Sequence, residues 1–248
     1  HTQYITKIHV LGRTEIYLVV TEVNMPLTIL DYMALENAVI TLQYSFMETY
    51  AKNEIEKKYQ RDIEYSLLNG LLTGDELSKA AGMLKLKDTA QYCVVSFHTI
   101  SSNSEDYYTK EELEEIGVIE GEIQRLLPDE HIYRNLNQIV CIHEIKPGET
   151  QAGFREEMEK LYQTVQKQIF HRNKTTDFQI GIGSIVNGYG DLKKSFKDSK
   201  KIIDYMDMLR YLYGDKNISV ADFSKLGFFQ IFEKIKNRDE LMEYVPES

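Results

Sequence analysis

Apolar and polar residues alternate over most of the first 30 positions, which is the pattern of β-strands. Two alternating segments, residues 5–12 and 13–23, meet at Gly12 and Arg13, so we predict a β-hairpin. A lone two-stranded hairpin is only marginally stable in water. We therefore interpret this segment as the tail end of a domain whose first part is missing or has been removed.

A long helix is predicted to follow, because Pro26 closes the second strand and Asp31 can serve as the N-cap. Large apolar residues then recur at the spacing of a seam between paired helices: Leu35, Val39, Leu42 and Phe46. The seam lapses around residues 51–53, where we predict a kink or a loss of pairing. Two interpretations stay open: the seam pairs with a second protomer, or it packs on the sheet of its own chain.

From residue 88 to residue 235, strand patterns and amphipathic helices follow one another. Their order is strand, helix, strand, strand, helix, strand, with one more helix and one more strand. We therefore predict an α+β fold with a βαββαβ core. Two helices carry apolar stripes, from Phe154 to Ile169 and from Leu192 to Met206, and a sheet with helices on one face would bury both. A short helix over residues 74–84 has Asp75 as a possible cap.

Charge and cysteine content narrow the classes of partner. The formal charge of −10 argues against direct contact with nucleic acid, which needs a basic face. The two cysteines, Cys93 and Cys141, lie in apolar runs and are predicted to be buried and reduced, which favours a cytoplasmic location. No apolar run reaches the ~18 residues of a membrane span, so no membrane partner is predicted. The first residue is His1 and not Met, which indicates a segment of a longer protein.

The most specific stretch of the sequence is residues 177–232. It contains a strand that ends in Gly-Ile-Gly, a turn with two more glycines, an amphipathic helix, and a Leu-Gly-aromatic-aromatic sequence formed by Leu226, Gly227, Phe228 and Phe229. This order resembles the GGDEF-like domain of bacterial transcriptional regulators of the PucR and sugar-diacid types. Residues 18–46 resemble the hairpin and exit helix that close the sensor domain of the same family, so the resemblance covers nearly the whole chain.

The resemblance implies a division into four segments. They are the C-terminal part of a sensor domain at 1–47, a helical linker at 48–87, a GGDEF-like domain with a degenerate ferredoxin-like core at 88–235, and the start of a connector at 236–248. Members of the family normally end in a helix-turn-helix domain. The chain thus resembles a sensing and dimerising core that reaches DNA only through a missing domain, and its small-molecule effector is unknown.

Active GGDEF domains hold GTP and metal with a glycine-rich acidic hairpin and with an aspartate at the end of the first core strand. The matching hairpin turn is residues 134–138, which contain no glycine and no carboxylate, and the strand end is residues 95–98, which contain no aspartate. Without these ligands two-metal phosphoryl chemistry has no site. We therefore predict no cyclase activity, no catalytic residue and no cofactor.

For three other motifs, a structural interpretation is simpler than the functional one that their residues also suggest. The glycines Gly181, Gly183, Gly188 and Gly190 fail the Rossmann template at Val186 and the Walker template at Tyr189, and are interpreted as a strand exit and helix packing. Cys141 and His143 are a close pair of soft ligands, but a metal needs three or four, so no metal is predicted. The basic run of one helix is interpreted as a solvated surface spanning two helix faces, with docking of an acidic or DNA-proximal partner as the alternative. It consists of Lys193, Lys194, Lys197, Lys200 and Lys201.

Three function hypotheses follow. The leading one is the regulatory, homodimeric part of a PucR-like transcriptional regulator, in which effector binding is transmitted through the helix of residues 31–66 to the GGDEF-like domain and on to a DNA-binding domain. The dimerisation residues would be those of the Leu35 to Phe46 seam. The alternatives are a degenerate GGDEF-type nucleotide sensor without cyclase activity, and a purely structural dimerisation module.

Overall fold

The structure, a computed structural model, describes residues 3–9, 16–23, 25–100, 109–135, 137–171 and 176–227. It has two compact units, His1–Asp62 and Ile63–Ser248. The described residues form six α-helices, a two-stranded sheet and a six-stranded sheet that contains both parallel and antiparallel pairs. The fold is thus α+β, as the sequence predicts. The segment boundaries implied by the resemblance stay predictions, and residues 236–248 lie outside the described part.

The first unit contains the predicted hairpin and most of the predicted long helix. Strands β1 (Gln3–Ile8) and β2 (Ile16–Thr21) pair antiparallel, and the turn at Gly12 and Arg13 lies outside the described residues. Burial alternates along both strands, so the hairpin has one covered face, on which Ile8 is fully buried. The edge-to-face contact of the rings of Tyr4 and Tyr32, whose centres are 5.8 Å apart, joins this hairpin to the helix.

Helix α1 spans Ile29–Leu68, 40 residues and roughly 60 Å. It starts with a reciprocal cap: the Thr28 hydroxyl accepts from the Asp31 N–H at 3.3 Å, and the Asp31 carboxylate accepts from the Thr28 N–H at 2.7 Å. The N-cap is therefore Thr28, not Asp31 as predicted from the sequence. Hydrogen bonds from Thr28 lower the pKa of Asp31. The helix is continuous through residues 51–53, where we predicted a kink or a loss of pairing, and it contains no Pro or Gly to interrupt it.

The second unit is built on strand β3, whose neighbours in the sheet follow the order β4-β5-β3-β6-β8, with β7 also paired to β3. Among the described strands, only β6 and β8 pair in parallel. Its elements are α2 (Gly74–Met83), β3 (Gln91–Ile100), α3 (Lys110–Leu126), β4 (His131–Asn135), β5 (Gln138–Glu144), α4 (Gln151–His171), β6 (Asp177–Ile182), β7 (Val186–Asn187), α5 (Leu192–Asp204), α6 (Met206–Tyr213) and β8 (Val220–Asp222).

Helices cover both faces of this sheet, which corrects the prediction of helices on one face. Helices α3 and α4 pack on the face that includes Val95 and Phe97. Helix α5, with Leu67 and Leu68 at the end of α1, packs on the face that includes Val94. The physical reason is that β3 is buried on both sides, so its alternate residues enter two separate cores.

Two smaller predictions also need correction. The N-cap of α2 is Thr73, and Asp75 lies in the first turn of that helix. The helix whose apolar stripe was predicted to run from Leu192 to Met206 is interrupted at Tyr205, which separates α5 from α6. The second helix turns so that Met206 and Leu209 join a separate apolar cluster with Ile202.

Candidate functional site

The hairpin turn that corresponds to the catalytic hairpin of active GGDEF domains lies between β4 and β5, with Asn135 opposite Gln138. Two side chains of this turn contact other elements of the same domain. Arg134 donates to Glu120 at 3.0 Å, and the Asn137 amide lies 3.4 Å from a ring nitrogen of His98. These groups hold the turn against α3 and β3 and present no carboxylate there to a metal.

The part of β3 that corresponds to the metal-binding strand end of active members, residues 95–98, lies in the interior of the strand and is equally unsuited to phosphoryl chemistry. Val95, Ser96 and Phe97 are fully buried, and the Ser96 hydroxyl lies 2.7 Å from the hydroxyl of Ser199 on α5. His98 is half-buried, and burial lowers its pKa. Within the described ranges, no group of three or more His, Cys, Asp or Glu side chains is placed to hold a metal ion. The geometry thus offers a packed strand where an active cyclase has metal ligands.

The glycines of the strand exit allow α5 to approach the sheet closely. A Cβ at Gly183 would lie 2.7 Å from the Ser195 hydroxyl oxygen and overlap the Ser195 carbonyl oxygen. A Cβ at Gly181 would meet the carbonyl oxygen of Ser199 in the same way. The Ser195 hydroxyl accepts from the Val94 N–H at 2.8 Å. The interpretation of these two glycines as helix-packing residues is confirmed.

Residues 69–205 match the family described as the GGDEF-like domain. This region is more than half of the 248 residues, and the chain belongs to that family. The matched region begins after the end of α1 and ends at the break between α5 and α6. No curated protein matches the chain. Among the described helices, none is both long enough and apolar enough to cross a membrane.

The four predicted dimerisation residues lie on one side of α1, and all four are half-buried: Leu35, Val39, Leu42 and Phe46. The Tyr4–Tyr32 ring contact shows that the hairpin touches the helix near its start. The seam residues themselves are each partly covered within the chain. Half-buried side chains still leave area for a partner, so pairing through the seam stays a prediction.

Helix α1 also carries an exposed apolar stripe that the sequence reasoning missed. Its members recur at spacings of seven, four and three, which places them on the side of the helix away from the seam. They are Met33, Ile40, Tyr44 and Met47, with exposed fractions of 56%, 64%, 75% and 36%. The helical spacing that identified the seam would also have identified this stripe, if the other face of the helix had been searched in the same way.

His143 is the centre of a buried charge cluster. Its Nδ1 lies 2.8 Å from Glu130 Oε1, and its Nε2 lies 3.1 Å from both carboxylate oxygens of Glu149. The ring stacks on Phe154, with ring centres 4.2 Å apart. Ionised carboxylates only accept hydrogen bonds, so both ring nitrogens must donate, which requires the imidazolium form. His143 is thus held as a cation by carboxylates from two loops, Glu130 before β4 and Glu149 before α4.

The pKa values in this cluster follow from burial and from the two carboxylates. Burial alone would lower the pKa of His143, but the hydrogen bond and charge of Glu130, and then those of Glu149, outweigh it and raise the pKa. The pKa of Glu149 is lowered, because hydrogen bonds from the Lys146 N–H and from His143 outweigh its burial. Burial, and then the nearby carboxylates, raise the pKa of Cys93 and of Cys141. Both cysteines are buried and free, as predicted, and neither is activated as a thiolate.

We expect His143→Gln to lower the free energy of unfolding by about 3 kcal/mol near pH 6, because it leaves two buried carboxylates without their cation. The stabilisation from His143 is fully present below its unfolded pKa of about 6.5 and is lost as the pH rises through the raised folded value. The Glu149 contribution is present above about 4.5 and is lost as the pH falls through its lowered folded value. Urea unfolding of both proteins from about pH 5.5 to about pH 9 measures the difference.

The difference between the two proteins, and not the stability of either, is the informative quantity. His98 and His131 have pKa values lowered by burial and give the opposite pH slope in both proteins. His171 is exposed at the end of α4, so His171→Gln is the control for the loss of a histidine outside the cluster. A difference for His143→Gln that does not change with pH would contradict a protonated His143.

Proposed function

We propose that the chain is the regulatory and dimerising part of a PucR-like transcriptional regulator in the cytoplasm, relaying effector binding to a DNA-binding domain. The observation that supports this proposal is that a GGDEF-like domain has a packed hairpin and a packed strand where active members hold GTP and metal. This arrangement is compatible with a regulatory role for the domain. The strand order β4-β5-β3-β6 favours the ferredoxin-like arrangement for its core.

Dimerisation is assigned to α1, whose length exceeds what the short hairpin covers. The exposed stripe offers the larger apolar area, because Ile40 and Tyr44 are more than half exposed while the seam is half-buried. Burial of each large side chain contributes roughly 1.5 to 3 kcal/mol before the costs of association. Four such groups on each protomer are enough for a micromolar dimer, which needs about 8 kcal/mol.

A fusion in cells tests the regulatory role. The chain is joined to a helix-turn-helix domain that represses a reporter only as a dimer, and repression is measured with and without the chain. We expect repression from the wild-type fusion and its loss with Ile40→Asp. Equal reporter activity with the chain present or absent would reject the dimerising role.

We expect the chain neither to synthesise a cyclic dinucleotide nor to hydrolyse GTP in the presence of Mg²⁺ or Mn²⁺. The reason is that residues 134–138 lack the groups that hold phosphate and metal. Replacing the turn by Gly-Gly-Asp-Glu-Phe should not create activity, since residues 95–98 of β3 still offer no aspartate. Product analysis by liquid chromatography after incubation with GTP measures both proteins. Cyclic di-GMP from the pure wild-type chain would overturn the non-catalytic assignment.

A further inference from the structure

The basic run of α5 lines a cavity of about 540 Å³. Four of its five lysines line this cavity: Lys193, Lys197, Lys200 and Lys201. Lys193, Lys197 and Lys200 lie on one face of the helix at spacings of four and three residues, and Lys201 follows Lys200 directly. Lys194 is not among the residues that line the cavity. The volume is that of a small-molecule site.

The floor of the cavity is apolar. Leu68 and Phe196 are buried below it, and the ring of Tyr205 forms part of its wall. The ammonium of Lys200 lies 5.2 Å from the centre of the Phe196 ring, so charge and apolar surface are adjacent. Asp204 also lines the cavity, but four lysines outnumber its single carboxylate. A cavity with a net positive lining around an apolar base is complementary to an organic anion.

Three of the four lysines that line the cavity have no carboxylate partner among the described residues. Within the described ranges, Lys193, Lys197 and Lys200 form no ion pair with a carboxylate, although the chain has a net charge of −10. Like charges three and four residues apart on a helix repel one another. Lys193 has a local role, because its side chain crosses Gly70 in the turn that ends α1, where the helix dipole is negative. That role does not account for Lys197 or Lys200.

We propose that this cavity, which we call the α5 lysine pocket, binds a small organic anion with at least two negative charges and a flat apolar body. The charges would lie against Lys197 and Lys200, and the body would lie over Phe196 beside Tyr205. Lysine is a point-charge partner for either carboxylate or phosphate. The inference goes beyond the proposed function, because the pocket lies within one domain of one protomer and does not depend on dimerisation.

Calorimetric titration of the full chain at low salt tests the pocket with two probes, 1-naphthyl phosphate and naphthalene-2,6-dicarboxylate, which separate phosphate from carboxylate ligands. Two control compounds are titrated as well: inorganic phosphate, which lacks the apolar body, and 1-naphthol, which lacks the charge. We expect at least one probe to bind at least about tenfold more tightly than either control compound. The double variant Lys197→Gln and Lys200→Gln should weaken that binding at least about tenfold, and added salt should weaken it as well.

Lys194→Gln is the matched control, since it removes the same charge from the same helix outside the pocket, and it should change affinity by less than about twofold. The proposal is overturned if neither probe binds, if inorganic phosphate binds as tightly, or if Lys194→Gln weakens binding as much as the double variant. Binding of polyglutamate or duplex DNA without binding of either probe would also overturn it, in favour of a macromolecular partner. Sedimentation of the same samples reports dimerisation separately, so failure here is distinguishable from failure of the proposed function.

Discussion

Gly183→Ala is expected to lower the free energy of unfolding by about 3 kcal/mol or more. The added Cβ would overlap the Ser195 carbonyl oxygen and lie 2.8 Å from its carbonyl carbon, and neither is a flexible group. Relief requires α5 to move off the sheet, which opens its contacts through Leu192 and Phe196. It also stretches the hydrogen bond from the Val94 N–H to the Ser195 hydroxyl. Urea unfolding followed by far-ultraviolet circular dichroism measures the change.

Gly190→Ala is the matched control for this substitution. Gly190 lies in the short 3₁₀ turn Tyr189–Asp191, and a Cβ there would meet nothing within 4 Å. Reduced freedom of the unfolded chain makes this change neutral or slightly stabilising, by up to about 1 kcal/mol. If the free energies of unfolding of both variants lie within about 1 kcal/mol of the wild-type value, α5 does not approach the sheet as closely as described.

Sedimentation equilibrium at tens of micromolar is expected to show a homodimer that Ile40→Asp dissociates. The carboxylate would be buried at the centre of the exposed stripe, where desolvation of a charge without a partner costs several kcal/mol. The expected loss of affinity is at least about a hundredfold. Ala38→Asp places the same charge on an exposed part of α1 outside both apolar stripes, and should leave the dimer intact.

Leu42→Asp discriminates between the two faces of α1. The sequence predicts that this change disrupts the dimer, because Leu42 is central to the seam. Leu42 is already partly covered within the chain, so we expect Leu42→Asp to weaken the dimer less than Ile40→Asp does. A dimer that Leu42→Asp dissociates with the hairpin intact, and that Ile40→Asp leaves unchanged, would assign pairing to the seam. A monomeric wild-type chain would reject pairing through α1 altogether.

Local pattern was sufficient for most elements of the second unit. The ten residues Gln91–Ile100 form β3 as predicted, and the predicted apolar stripe of α4 is buried in full from Phe154 to Ile169. These elements are recognisable because their periodicity is a property of consecutive residues. Caps were harder to place. Asp31 and Asp75 are acidic first-turn residues, whereas Thr28 and Thr73 hold the cap positions. Both residue types favour helix starts, so composition alone does not fix the position.

The sequence by itself determined the order of the elements, the GGDEF-like resemblance of residues 177–232 and the absence of catalytic ligands at residues 134–138. Each of these is a property of neighbouring residues. The tertiary structure alone decided that helices cover both faces of the sheet, that His143 lies between Glu130 and Glu149, and that the lysines of α5 surround a cavity with Leu68 at its base. Those groups are brought together by packing between elements far apart in the chain, which no local periodicity encodes.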